Sequence, residues 1–188
     1  RDRHNSVQKY KDIISSIERK IEAQKTHLTP KVIAVSKTFK LEKILPLIEY
    51  GHLDYGENKV QEAIEKWSEI KLKRQNIKLH LIGRLQTNKV KYAIKIFDFI
   101  HSVDSKKLAK KIADEQNKQN KKPKLFIQVN IGDEEQKSGI NADQIEDLIF
   151  FSQKLNLNVI GLMCIPPANE EPDKYFKEIK LLNKKFNL

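Results

Sequence analysis

Lys37 closes the run Lys31-Val32-Ile33-Ala34-Val35-Ser36-Lys37-Thr38, and a lysine in that place could do chemistry. Residues 32–35 are apolar and mostly β-branched. They read as a buried strand with no polar face left for water. A lysine ending such a strand would lay its stem against apolar walls. Burial there would disfavour the ammonium and favour the free amine. A free amine held at the end of a strand can form a Schiff base with an aldehyde. The plainer alternative is a lysine that snorkels to solvent where the strand stops.

Further polar residues fall at the ends of other apolar runs. They are Asn58, Gly83-Arg84, Asn130 and the pair Met163-Cys164. In a parallel α/β sheet the C-terminal strand ends gather at one mouth, where sites form. One amine, several amides and apolar walls suit a carbonyl ligand and do not suit a metal. The five histidines (4, 27, 52, 80 and 101) form no helical pair, and the single cysteine cannot build a thiolate site. His80 falls inside a strand, where a hydrogen-bonded core histidine is the commoner role. Ser36 beside Lys37 suggests a Ser-Lys nucleophile pair, but adjacent strand residues point to opposite faces. The stretch 132–139 holds Lys137-Ser138-Gly139, the wrong order for a phosphate loop, which needs Gly-Lys-Ser/Thr opening a helix. Lys137 therefore reads as a solvated loop residue or one that closes the mouth.

The elements that must position these residues alternate along the chain. A helix is expected over 5–24, capped by Asn5 or Ser6, with Val7, Tyr10, Ile14, Ile17 and Ile21 as its stripe. Thr29-Pro30 breaks the pattern before the Lys37 strand. A helix follows over 41–50 and stops at Gly51, with Pro46 inside it. Strands are then expected at 53–56, 78–83, 98–103, 124–130 and 158–165. The helices between them are 59–73, 87–95, one capped by Asp104 or Ser105 that gives way to a loop at 116–122, and one capped by Asn141 with Gln144 as in a capping box. Pro166-Pro167 closes the sixth strand. A last amphipathic helix over 173–186 places Phe176, Ile179, Asn183 and Phe186 on one side.

Six strand-then-helix units after a leading helix mean a parallel sheet wrapped by helices. No Gly-x-Gly-x-x-Gly follows a strand, which weakens a dinucleotide-binding open sheet. A (β/α) barrel needs eight units. The alternatives are an open doubly wound sheet or a barrel whose last two units lie beyond residue 188.

The chain has 188 residues, 39% hydrophobic and 32% charged, enough for one packed domain over 1–188. A lone cysteine, Cys164, excludes an intrachain disulfide and fits a reducing, cytoplasmic setting. No run reaches the length of a transmembrane span, and no apolar signal region opens the chain. The net charge of +11 raises nucleic acid as a partner. Only five of the 36 basic residues are arginine, however, and the lysines are scattered through every segment. A general bias toward Lys, Ile and Asn explains the charge as well as a binding face does.

Five separated motifs occur in order: Ala34-Val35-Ser36-Lys37-Thr38; Tyr55-Gly56-Glu57-Asn58 with Gln61-Glu62; the stretch from His80 through Gly83-Arg84 to Asn88-Lys89; Gln128-Val129-Asn130-Ile131 followed by Lys137-Ser138-Gly139; and Gly161-Leu162-Met163. Together they resemble the pyridoxal phosphate homeostasis proteins, the YggS/PROSC family of single-domain pyridoxal 5'-phosphate (PLP) binders. The match runs from the leading helix to the last residue. The resemblance implies an α/β fold, a TIM-type (β/α) barrel of PLP fold type III like the N-terminal domain of alanine racemase. It implies Lys37 as the Schiff-base lysine, with Asn58, His80 and Met163 around the cofactor. The family's later Ser-Met-Gly-Met-Ser-like and Arg-Ile-Gly-like stretches, which hold the cofactor phosphate, do not occur. A barrel truncated after the sixth unit is therefore expected.

The function so implied is PLP homeostasis. The cofactor would be held on Lys37 without substantial catalysis and released to amino acids or to apo-enzymes that need it, by a monomer or weak dimer. The first alternative is a PLP-dependent amino-acid racemase. That activity needs a second base, supplied in alanine racemases by a tyrosine from another domain; of the five tyrosines here, Tyr55 comes nearest the strand-two mouth. The second alternative is a nucleic-acid or interaction protein using the basic surface, whose binding would fall steeply with salt.

Overall fold

The computed structural model describes residues 2–24, 33–37, 39–130, 139–165 and 172–188. Its elements alternate as follows: helix Asp2–Gln24 (α1), strand Ala34–Val35 (β1), helix Leu41–Tyr50 (α2), strand Asp54–Glu57 (β2), helix Val60–Lys73 (α3), strand Lys78–Leu81 (β3), the 3-10 turn Thr87–Lys89 running into helix Val90–Ile96 (α4), strand Phe99–Val103 (β4), helix Lys106–Gln119 (α5), strand Lys124–Asn130 (β5), the short strand Ile140–Asn141 (β6), the 3-10 turn Ala142–Gln144 running into helix Ile145–Lys154 (α6), strand Asn158–Met163 (β7) and helix Pro172–Lys185 (α7). No helix among the described residues is long and apolar enough to cross a membrane.

Every strand pairing is parallel, from β1 to β2 and onward to β5, which pairs with both β6 and β7. The strands cross the sheet in chain order without reversal. A doubly wound sheet reverses its order at a switch point. A sheet wound in one direction by right-handed crossovers keeps its helices on one face and turns the other inward, which is the geometry of a (β/α) barrel. The fold is this TIM-type α/β barrel architecture, and the doubly wound alternative falls away.

Alternation along each strand divides the two faces. Tyr55, Leu79, Leu81, Ile100, Leu125 and Ile127 are fully buried and belong to the core beneath the helices, where Trp67 of α3 packs on Tyr55 at 4.7 Å between ring centroids. Burying each such side chain contributes about 1.5–3 kcal/mol. Asp54, His80, Phe99, His101 and Phe126 lie on the other face and touch one another across the strands. Two bulges adjust this inward face. Ile100 pairs with Leu125 and Val103 with Ile127, so His101 and Ser102 together oppose Phe126. On β7, Ile160 is the extra residue against β5.

Local signals explain most element ends. Gly51 closes α2 at φ 105°, and the Ser105 side chain accepts from the Leu108 amide at 3.1 Å as the cap of α5. Four expectations are corrected. Helix α1 already runs from Asp2, so Asn5 and Ser6 lie inside it; nothing in the polar residues before the apolar stripe breaks a helix. Strand β1 covers only Ala34–Val35, and Val35 is 48% exposed on the inward face, so this strand is not buried on both sides. Helix α5 continues through Gln119, because the buried Gln116 donates from its side chain to the Asn156 carbonyl at 3.1 Å and holds that turn in place. Asn141 makes no capping bond; it is paired with Asn130 as part of β6, and a 3-10 turn follows. Thr29-Pro30, Lys31-Val32, Lys137-Ser138 and Pro166-Pro167 lie outside the described residues.

Candidate functional site

A cavity of about 630 Å³ opens at the C-terminal ends of the strands, and Lys37, Asn58, Arg84, His101, Asn130 and Met163 are among the residues that line it. Five of these six come from positions marked by the strand-end argument, on five different strands or the turns that follow them. His101 is the exception.

Lys37 sits two residues past the end of β1, in a turn, and is exposed. The expected burial of its stem is not met: Lys37 is exposed, although Ile82, Val129, Met163 and Ile165 line the same cavity. The turn is fixed from behind. Ser36 is buried, its amide donates to the Gly56 carbonyl at 2.9 Å, and its hydroxyl donates to Glu57 Oε1 at 2.8 Å. Lys66 of α3 donates to the Ser36 carbonyl at 2.7 Å and to the same Glu57 oxygen at 2.9 Å, and Trp67 Nε1 donates to it at 2.9 Å. Ser36 and Lys37 thus face opposite ways, as strand alternation requires, and the Ser-Lys pair is excluded by geometry.

Asn58 is placed by a close approach of two backbones. A Cβ on Gly83 would stand 2.4 Å from the Asn58 carbonyl oxygen and 2.9 Å from its Cα, so the β3 exit packs directly on the β2 exit. Gly139 has φ +125° and a Cβ there would stand 2.7 Å from the Asn130 amide nitrogen. Asp104, half-buried, accepts from the Gly139 backbone. Burial pushes its carboxyl up, against the Gly139 hydrogen bond and the Arg84 guanidinium, which pull it down.

His80 is not in the cavity wall. It is 2% exposed, one layer deeper, with Nε2 2.8 Å from Asp54 Oδ1 and Nδ1 2.9 Å from His101 Nε2. His101 is the imidazole that reaches the cavity. Burial, then the neighbouring His80, lowers its pKa to about 4. Its ring stacks on Phe126 at 4.5 Å and 17°, while His80 stacks on Phe99 at 4.1 Å and 8°. Strand alternation from His80 to its neighbours could have suggested the pairing. The β4 bulge, which no sequence signal marks, decides which histidine stands higher.

Tyr55 is turned away from the cavity. It is fully buried on the helix side, its hydroxyl donates to the His52 carbonyl at 2.8 Å, and burial raises its pKa. Cys164 is half-buried, and burial followed by Glu178 pushes its thiol up. Among the described residues no cluster of three His, Cys, Asp or Glu side chains could hold a metal ion.

The family model "Alanine racemase, N-terminal domain" matches residues 14–185. A pyridoxal phosphate homeostasis protein of Aquifex aeolicus is 36% identical over 183 residues, covering 95% of this chain and 79% of the relative. PipY of Synechococcus elongatus, in its structure with PLP bound, superposes with a TM-score of 0.72 at 31% identity, over 90% of this chain and 82% of that one. An alanine racemase of Clostridium difficile shares the fold alone, with a TM-score of 0.61 at 18% identity over 82% of this chain and 41% of the racemase. The chain belongs to the pyridoxal phosphate homeostasis protein family.

Proposed function

We propose that this protein binds PLP in the cavity at the C-terminal strand ends and serves in PLP homeostasis, holding the cofactor covalently through Lys37. The observation that carries the reading is a solvent-reachable amine, on a turn anchored at Ser36, in a cavity that is lined also by amides, a neutral imidazole, apolar groups and Arg84. These residues fit the cofactor's chemistry. Bound PLP supplies an aldehyde carbon that a primary amine attacks, forming a carbon–nitrogen double bond and releasing water. Lys37 is the amine placed to do so. Asn58 and Asn130 offer amide groups to the ring substituents, Met163 offers a soft apolar surface, and Arg84 offers a cation at the rim.

We read the protein as one that holds and releases PLP and does not turn over substrate. Lys37 is exposed, so an amine from solvent, such as an amino acid, can reach the same carbon and displace it. The tyrosine nearest the strand-two exit, Tyr55, faces the helices and cannot serve as a base in the cavity.

The test is borohydride reduction of the purified chain with PLP, followed by peptide mass spectrometry, with Lys37→Ala in parallel. The expected result is a pyridoxyl group on the peptide carrying Lys37, lost in the variant. Labelling spread over the other lysines with none on Lys37 would overturn the reading. Solvent deuterium appearing at the α-carbon of alanine or serine at catalytic rates would overturn the holding role and favour a racemase.

A further inference from the structure

A line of three buried polar side chains runs across the inward face beneath the cavity: Asp54 on β2, His80 on β3 and His101 on β4. The covalent hold at Lys37 makes no use of it. The two hydrogen bonds within the line can be read atom by atom. Asp54 Oδ1 is a carboxylate oxygen and accepts, so His80 Nε2, at 2.8 Å, carries a hydrogen. The next contact joins two ring nitrogens, His80 Nδ1 and His101 Nε2, at 2.9 Å, with room for one hydrogen. We take His80 in its neutral form; Nδ1 then carries no hydrogen, and the hydrogen between the two rings belongs to His101 Nε2. His101 Nδ1 is then the bare nitrogen, and it has no partner among the described residues. The order is directional: the carboxylate sets the first tautomer, and the first tautomer sets the second.

The rings are also held in angle. His80 lies flat on Phe99 and His101 flat on Phe126. Phe126 in turn sits over Gly161 of β7, where a Cβ would stand 2.9 Å from the ring. The β4 bulge lifts His101 into the cavity wall, and bulges next to sites commonly re-aim a side chain in this way. Deep burial keeps His101 neutral at physiological pH, so it offers one lone pair and no charge.

We propose that Asp54 and His80 are positioning residues that hold His101 as its neutral Nε2–H tautomer, so that Nδ1 accepts a hydrogen bond from a donor on the ring of the bound ligand. The identity of that ligand rests on the PLP reading above; PLP is a hydroxypyridine, which offers one such donor, the hydroxyl in its neutral form or the ring nitrogen when that is protonated. A ligand ring with only acceptors would meet a bare lone pair and be rejected.

The test reads the tautomer directly, by long-range ¹⁵N–¹H correlation of the imidazoles in the full chain at neutral pH. Without ligand, His101 is expected to carry its proton on Nε2. His80→Phe keeps a flat ring against Phe99 but removes the acceptor, and is expected to move His101 toward the Nδ1–H form. Asp54→Asn frees His80 to change tautomer and should lower the Nε2–H population of His101, which keeps the test open if His80→Phe does not fold. Adding PLP should then shift His101 Nδ1 while leaving His52, on the far side of β2, unmoved.

Finding His101 as Nδ1–H in the unliganded chain overturns the proposal. So does a tautomer indifferent to both variants. A His101 Nδ1 signal that ignores PLP, while borohydride fixes PLP on Lys37, also overturns it. Failure of the PLP reading looks different: no adduct forms on Lys37, yet the tautomer and its dependence on His80 persist. That outcome supports the positioning of His101 and overturns only the choice of ligand.

Discussion

The Ser36 hydroxyl donates to Oε1 of the fully buried Glu57 at 2.8 Å, and Lys66 bridges the same two residues from the adjacent helix. The residue before Lys37 is therefore tied to β2 and α3 through one ion pair that is 8% and 0% exposed. Such a pair contributes little when compared with a packed apolar substitute, but breaking it by removing one partner leaves a buried charge.

The first prediction follows from that asymmetry. Glu57→Ala should lower stability by about 3–5 kcal/mol in urea unfolding, because Lys66 keeps only its longer carboxylate contact, to Glu62 at 3.4 Å, and the Ser36 and Trp67 donors lose their buried acceptor. Adding Lys66→Met to the same chain should recover part of the loss. If Glu57→Ala costs under about 1 kcal/mol, or the second change deepens the loss, the pair is not what holds the Lys37 turn.

Gly83 carries the second prediction. Its missing Cβ lets the β3 exit lie on the Asn58 backbone, and backbone cannot swing aside as a flexible side chain can. Gly83→Ala should cost roughly 1–3 kcal/mol, as overpacking does, and displace Asn58 from the cavity wall. Weaker retention of PLP on dialysis should accompany the loss of stability. Gly51→Ala is the control: it strains a positive φ, whereas nothing lies within 4 Å of its Cβ and it does not line the cavity. Equal loss of PLP from both variants would show that Gly83 acts through global stability alone.

What could be seen in the sequence was whatever depends on period and on chain order. The six main strands and their helices follow from apolar runs and caps such as Gly51 and Ser105, and parallel strands bring Lys37, Asn58, Arg84, Asn130 and Met163 to one mouth whatever their spacing. What could not be seen depends on a slip of register or on a partner far away in the chain. The bulge at His101-Ser102 puts His101 in the wall and leaves His80 beneath it, and nothing in Phe99–Val103 marks the extra residue. The bond from Lys66 to Ser36 spans 30 positions, and Lys66 looks like any solvated lysine on a helix face. The exposure of Val35 has the same origin: β1 lies at the outer end of the pairing order, so its apolar residues gain one neighbouring strand among the described residues.

The third prediction concerns acid. His101 has its folded pKa lowered to about 4 from 6.5, chiefly by burial. The unfolded chain therefore binds a proton between those values that the folded chain does not. Stability is at its full value above pH 6.5 and is lost as pH falls through that window toward 4. The loss assigned to this one ring is about 3 kcal/mol, an order-of-magnitude figure from the linkage of pKa to folding. His52, also lowered chiefly by burial, adds in the same direction. Urea unfolding at steps from pH 7.5 to pH 4.5 reads the slope, and His101→Phe should flatten it. An unchanged slope in that variant would mean that the buried imidazole is protonated as readily as in the unfolded chain. A cavity floor that keeps His101 neutral, which the proposed tautomer requires, could not then exist.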